Sequence, residues 1–213
     1  MRNTSVMRHL SRVDPVLGGW IRSVGPLQLE VRRRPPFESL TQAIIYQQLN
    51  SRAADAIFAR FRSLFPRARF PSPGQILNCG DTNLRAAGLS RQKIGYLRAV
   101  AEFTVQGLMP TLEQCIGWSD DDLIRHLTQI QGVGPWTVEM LLIFDLGRPD
   151  VLPVHDLGLR AAFQALYRKR QLPTPKAFFD HGERWRPHRT AASLYLWRVR
   201  DGDGAWGEGD PSR

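Results

Sequence analysis

Apolar positions recur along the chain with a helical period, and no stretch longer than a connector alternates with the period of a strand. From the N-terminus, Val6, Leu10, Val13, Leu17 and Ile21 keep helical spacing as far as Val24, with a break expected near Pro15 or at Gly18-Gly19. The basic segment Arg32-Arg33-Arg34-Pro35-Pro36 reads as an extended, solvated connector in preference to a phosphate clamp. FESLTQAIIYQQLN then carries Phe37, Leu40, Ile44 and Ile45 on one helical side, and Ser51 has the form of the N-cap of SRAADAIFARFRSLF, whose Ala54, Ile57, Phe58, Phe61 and Phe65 make a core stripe. The turn Gln47-Gln48-Leu49-Asn50 between these two helices is therefore displayed on a surface.

Ser72 and Pro73 suit the N-cap and first position of a short helix, a further helix ends before Gly88, and Ser90 caps RQKIGYLRAVAEFTVQG. Arg91 and Lys93 fall in the first turn of that helix, where a cation opposes the dipole unless an anion is close, which hints at a phosphate contact. Near the C-terminus, LGLRAAFQALY sets Leu157, Ala161, Ala165 and Leu166 in register. RWRPHRTAASLYLWRVR is helical from about Pro187, with Ala191, Leu194, Tyr195 and Val199 as core positions, and DGDGAWGEGDPSR reads as a frayed tail. The fold class is all-α.

The stretch from Ser119 to Arg160 carries most of the candidate chemistry. Ser119 with Asp122 three residues on has the form of a capping box, and Leu123, Ile124, Leu127 and Ile130 continue as a helix until Gly132 and Gly134 interrupt it. Pro135 suits the first turn of a second helix through Val138, Leu141, Leu142 and Phe144. Glycines let backbone approach a ligand, and amides at a helix start favour an anion, so Gly132-Val133-Gly134 can grip a phosphate without reading bases. An ordinary αα-hairpin explains the same residues equally well.

The formal charge is +9, and lysine occurs only at Lys93, Lys169 and Lys176, so arginine supplies all but three of the 29 basic residues. Arginine pairs with phosphate and stacks on bases, which favours a nucleic-acid partner; genomic base composition is the other source of such an excess. With 213 residues and 42% hydrophobic content the chain can bury a core without staples. Cys79 and Cys115 are too few for a disulfide framework, a cysteine zinc site or an iron–sulfur cluster. No signal-like or membrane-length apolar run is present, so an intracellular protein without a membrane partner is expected, in the cytoplasm or on a bacterial nucleoid.

LTQIQGVGPWTVEM, followed by the loop to LPVHDLGLR, resembles the helix-hairpin-helix, Gly/Pro-rich loop and aspartate of the DNA base-excision glycosylase superfamily. FESLTQAIIYQQLNSRAADAIFARF, LRAAGLSRQKIGYLRAVA and RWRPHRTAASLYLW resemble most the alkylpurine branch, the DNA-3-methyladenine glycosylase II type. The resemblance implies two helical subdomains with an active-site cleft between them. Residues 1–42 with 151–213 would form one, and 43–150, with the helix-hairpin-helix at about 120–145, the other. It further implies a compact form without the β-rich domain that begins some relatives, acting as a monomer on double-stranded DNA that contains damaged bases.

Carried over by position, the family's catalytic aspartate falls on Asp156, which is also a plausible N-cap of LGLRAAF and an i+4 partner for Arg160. Asp145, Asp150 and Glu139 are rival acids nearby. Trp136 stands where strand-cutting relatives place a Schiff-base lysine, which implies a monofunctional enzyme that uses water and leaves an abasic site. An aromatic face also suits a purine made cationic by methylation, and Trp136, Trp197, Met140 and Tyr46 are the implied pocket; core packing is the competing explanation for either tryptophan. The family's duplex-filling turn matches Gln48, Leu49 and Asn50, with Gln48 and Asn50 as alternative wedges. Gly132, Gly134, Arg91 and Lys93 are the implied backbone contacts, and the carbonyls of Thr128, Ile130 and Val133 would hold a structural Na+ or K+, with no cofactor required. The alternatives are a DNA-structure-binding protein without activity and a glycosylase for deaminated or oxidised bases.

Overall fold

The structure, a computed structural model, describes residues 4–49 and 51–200. The expected frayed tail and the wedge candidate Asn50 lie outside the described residues. Among these there is no strand, and the helices are α1 (Thr4–Val13), α2 (Pro15–Val24), α3 (Pro36–Tyr46), α4 (Ser51–Ser63), α5 (Pro73–Asn78), α6 (Asp81–Ala86) and α7 (Arg91–Val105). They continue as α8 (Leu112–Gly117), α9 (Asp120–Leu127), α10 (Pro135–Phe144), α11 (Leu157–Leu166), α12 (Pro175–Gly182), a 3-10 turn Glu183–Trp185 and α13 (Arg189–Arg200). No helix among them is long and apolar enough to cross a membrane.

The chain divides into two compact units, one made of the segments up to Val31 and from Leu142, the other of Arg32–Leu141. Both boundaries fall earlier than 42/43 and 150/151. All of α3 packs on α4 and α7 and so belongs with the central segment, while the last residues of α10 turn into the terminal unit.

In the Arg32–Leu141 unit, α7 is the central helix, packed by α3, α5 and α6 through Ile94, Leu97, Val100 and Ala101. Leu40, Ile44, Phe61, Ile76, Leu123, Leu127 and Val138 complete a fully buried core. Local chemistry sets the helix starts: Ser72 with Gln75 and Thr111 with Gln114 form capping boxes, and Ser90 Oγ accepts from Lys93 N at 3.2 Å.

The terminal unit packs α1 on α2 and α13 on α2 and α11. The expected break in the first helical stretch falls at Asp14-Pro15, where the Asp14 carboxylate caps α2 through Leu17 N at 3.1 Å and proline supplies the first turn. Two registers differ from expectation. In α11 the buried stripe is Leu159, Ala162 and Phe163, and Leu157 is 61% exposed, because the bulky Phe163 ring turns its own side of the helix inward. In α13, Ala192, Ser193, Tyr195, Leu196 and Trp197 are buried while Ala191, Leu194 and Val199 are half-buried, since the helix meets neighbours on two sides and has no single apolar stripe. It begins at Arg189, two residues after Pro187.

Candidate active site and nucleic-acid interface

The hairpin between α9 and α10 starts from local capping. Ser119 Oγ accepts from Asp122 N at 3.1 Å and donates to the Asp122 carboxylate at 2.6 Å, which holds that carboxyl below its ordinary range; Asp120, Asp121 and Asp122 all fall in the first turn. At the other end Gly132 adopts φ +87°, and a Cβ there would lie 2.1 Å from Tyr96 Cγ. Backbone conformation and the tyrosine ring therefore both require glycine. Gly134 is different: its φ is not positive and a Cβ would meet nothing within 4 Å. No neighbour within the protein demands glycine there. Among the described residues the amides of Gly132 and Gly134 donate to no protein acceptor, whereas Val133 N closes a turn on Ile130 O at 3.0 Å.

The hairpin is tied to the turn after α3. Gln47 Nε2 donates to Gly132 O at 3.0 Å and to Thr137 Oγ1 at 3.2 Å. Gln48 and Leu49 are exposed, and Gln48 sits at φ +57°. Arg91 is exposed, but Lys93 reaches back, its Nζ donating to Ile45 O at 2.7 Å and Gln47 O at 2.8 Å. The cation at the start of α7 thus meets the negative end of α3, and two of its three donors are spent on main chain instead of phosphate. A cavity of about 490 Å³ is lined by Gln47, Gln48, Lys93, Tyr96 and residues 128–134. The carbonyls of Thr128, Ile130 and Val133 belong to that loop, and neutral main-chain oxygens with lone pairs to spare are a donor set suited to a hard monovalent cation.

In the same unit Trp136 and Met140 are half-buried and lie four residues apart on α10, which stacks them on one helix face. Tyr46 is half-buried against Phe58, ring centroids 6.0 Å apart, and its hydroxyl donates to Asp55 Oδ1 at 2.5 Å. Burial, and then this bond, push the phenol up to about 12.

In the terminal unit Asp156 caps α11, with Oδ1 accepting from Leu159 N at 2.7 Å. Arg160, the i+4 candidate partner, directs Nη1 to Pro173 O at 3.0 Å. The loop leading to Asp156 is fastened to the start of α13. Thr190 Oγ1 donates to Arg148 O at 2.6 Å and accepts from Val151 N at 3.0 Å, while Arg189 grips Asp150 through Nε at 2.9 Å and the Asp150 carbonyl through Nη2 at 2.8 Å. Asp150 also pairs with Arg186 at 2.6 Å, so this rival acid is committed to the fastening. Trp197 is 9% exposed and stacks on Phe144 with centroids 5.9 Å apart, the packing role weighed for it above.

Sequence reasoning missed three features: Asp14 as a buried node, the Arg189–Asp150–Thr190 fastening, and helices α8 and α12. Asp14 Oδ2 accepts from Tyr167 Oη at 2.5 Å, His181 Nε2 at 2.9 Å and Trp185 Nε1 at 2.9 Å, partners too distant in sequence to suggest themselves. The two helices were signalled by Thr111 with Gln114 and by Thr174-Pro175, which cap them.

Residues 41–187 match the HhH-GPD superfamily of base excision DNA repair proteins. The chain is similar to DNA-3-methyladenine glycosylase 1 of Schizosaccharomyces pombe, 42% identical over 90% of this chain and 85% of the relative. The solved structure of the Schizosaccharomyces pombe 3-methyladenine DNA glycosylase in complex with abasic DNA superposes with a TM-score of 0.86, covering 92% of this chain and 96% of that one, at 42% identity. A DNA-3-methyladenine glycosidase from Bacillus halodurans gives a TM-score of 0.77 at 36% identity, over 92% of this chain and 89% of that one. The chain therefore belongs to the HhH-GPD superfamily of base excision DNA repair proteins.

Proposed function

We propose that this protein is a monofunctional DNA glycosylase that turns alkylated purines such as 3-methyladenine out of duplex DNA and releases them by hydrolysis, leaving an abasic site. The observation that carries the reading is 42% identity over 90% of the chain to a DNA-3-methyladenine glycosylase; the acid in this reading is Asp156, held at a helix N-terminus. Departure of a base builds positive charge on the sugar, and the Asp156 carboxylate stabilises that charge and orients the attacking water. The bond to Leu159 N fixes its rotamer, and the fastening of the preceding loop to α13 fixes its backbone. Trp136 offers an electron-rich face to a cationic base and no amine for a Schiff base, so the strand stays intact. The Gly132 and Gly134 amides take a backbone phosphate, the exposed Gln48-Leu49 turn fills the gap left by the flipped nucleotide, and Thr128, Ile130 and Val133 would hold a Na+ or K+ that neutralises phosphate charge beside them.

The test is release of methylated bases from alkylated duplex DNA by wild type and Asp156→Asn, with binding to abasic duplex in parallel. Wild type releases base and leaves an unbroken, alkali-labile strand, and Asp156→Asn slows release by about 100-fold or more while binding survives. Equal release by both removes Asp156 as the acid. No release by either, with binding intact, means a DNA-binding module. Profiling 3-methyladenine, 7-methylguanine, hypoxanthine, 1-methyladenine and 8-oxoguanine separates an alkylpurine enzyme from one for deaminated or oxidised bases.

A further inference from the structure

The turn after α3 combines two features that need an explanation beyond a displayed loop. Gln48 is exposed and holds φ +57°, a left-handed conformation that L side chains avoid unless their surroundings impose it. Its neighbour Gln47 is half-buried and spends both amide protons across the unit, on Gly132 O in the hairpin and on Thr137 Oγ1 in the first turn of α10. From a third direction Lys93 at the start of α7 holds the Ile45 and Gln47 carbonyls, the last groups of α3 without helical partners. Burial pulls the Lys93 ammonium below its ordinary range, so the group is partly desolvated to reach that position. Leu49 N closes the turn on Tyr46 O at 3.3 Å.

We propose that Gln47 and Lys93 are positioning residues which lock the wedge turn to the hairpin, so that seating the hairpin on the strand presents Gln48 to the duplex in one fixed register. This rests on the glycosylase reading above and deepens it: neither residue touches DNA, and both act through Gln48. The strain at Gln48 is held by two anchors on the residue before it, and Leu49 N on Tyr46 O closes the turn after it. Lys93 fixes the carbonyl preceding it, and the Gln47 amide fixes the residue carrying that carbonyl to the loop that grips phosphate. Lys93 is accordingly a helix cap, and its substitution changes base opening more than salt-dependent affinity.

The experiment compares single-turnover base release from two duplexes of one sequence. Each carries one methylated purine that wild type releases, in one duplex opposite its normal partner and in the other opposite a tetrahydrofuran abasic analogue. The second is already open and needs no wedge. Gln47→Ala and Lys93→Met slow release from the paired duplex by about tenfold or more, and from the opened duplex by no more than about twofold; Lys93→Arg, which keeps donors for both carbonyls, recovers most of the loss. Equal slowing on both duplexes overturns the proposal, because a merely structural role affects every substrate alike, and so does no slowing on either. Should Lys93→Met melt far below wild type, Gln47→Ala decides alone. If wild type releases no methylated purine, the glycosylase reading fails and this inference falls with it.

Discussion

The hairpin at 128–134 and the loop at 148–156 are both short, irregular segments held still, but by different chemistry. The hairpin is held by neutral groups, the Gln47 amide on a carbonyl and the Tyr96 ring against a glycine; the one ion beside it, the Lys93 ammonium, holds main-chain carbonyls of the neighbouring turn and no carboxylate that an acid could discharge. The loop to Asp156 adds ionised pairs to the neutral Thr190 bonds, with Asp150 between Arg189 and Arg186 and Glu183 behind them, and the same unit hangs its N-terminal helices on the Asp14 carboxylate. Neutral contacts to main chain do not depend on protonation or salt near neutrality. Networks built on carboxylates do, so the two units should fail under different conditions.

The largest effect is expected at Asp14. It is 2% exposed, and replacing it with alanine leaves the Tyr167 hydroxyl, the His181 ring and the Trp185 indole without their acceptor and removes the cap of α2. Asp14→Ala should cost about 3–5 kcal/mol, read from the midpoint of denaturant unfolding. The pH dependence follows in sign. Burial alone would raise this carboxyl, but hydrogen bonds from His181, Tyr167, Leu17 N and Trp185 outweigh it and hold the group far below the usual carboxylate range. A depressed folded value means that the stabilisation is complete above the unfolded value of about 4 and is lost as pH falls through the folded one. Acid unfolding of wild type should therefore carry a component that Asp14→Ala lacks. If the variant keeps the wild-type acid limb, Asp14 does not set the terminal unit's limit, and the Asp150 and Glu183 pairs become the candidates.

A smaller effect tests the neutral half. Gly132→Ala forces a Cβ into the Tyr96 ring at φ +87° and should cost about 2–3 kcal/mol. Gly134→Ala meets nothing and should leave unfolding within about 0.5 kcal/mol of wild type. If Gly134 is glycine for the sake of a phosphate, that second variant should instead weaken binding to abasic duplex, while Gly132→Ala shows mainly in stability. Equal affinity for Gly134→Ala and wild type would leave the hairpin as a plain helical connection.

This division also explains what the sequence revealed. Ser72, Ser90, Ser119 and Asp156 cap their helices as read, because a cap and its amide lie within three residues and the pattern is local. Gly132 and Pro135 were legible for the same reason. Asp14 as a buried node was not, since its side-chain partners are more than 150 positions away, nor was the destination of Lys93, whose placement at the wrong end of α7 was visible but not the helix end it serves. The registers of α11 and α13 failed differently. Both helices contain a second set of apolar residues at helical spacing, and only packing chooses between the sets.

The smallest effect lies on the alkaline side of the central unit. Burial, followed by the bond to Asp55, raises the Tyr46 phenol from about 10 to about 12, a value above that of the unfolded chain. The stabilisation is present below pH 10 and is lost as pH rises through 12, the mirror image of Asp14. Lys93 works against it, because its lowered value makes the folded state the readier to release a proton as pH climbs. Tyr46→Phe separates the two. It keeps the ring against Phe58 and removes only the hydroxyl, so at neutral pH it should cost about 1 kcal/mol, while stability above pH 10 should fall less steeply than in wild type. An unchanged alkaline limb in Tyr46→Phe would mean that another group governs it. Tyr167, raised above the ordinary phenol range by burial and by its bond to Asp14, and Tyr195, raised by burial, carry the same sign in the terminal unit, so an unchanged limb would assign the alkaline limit there.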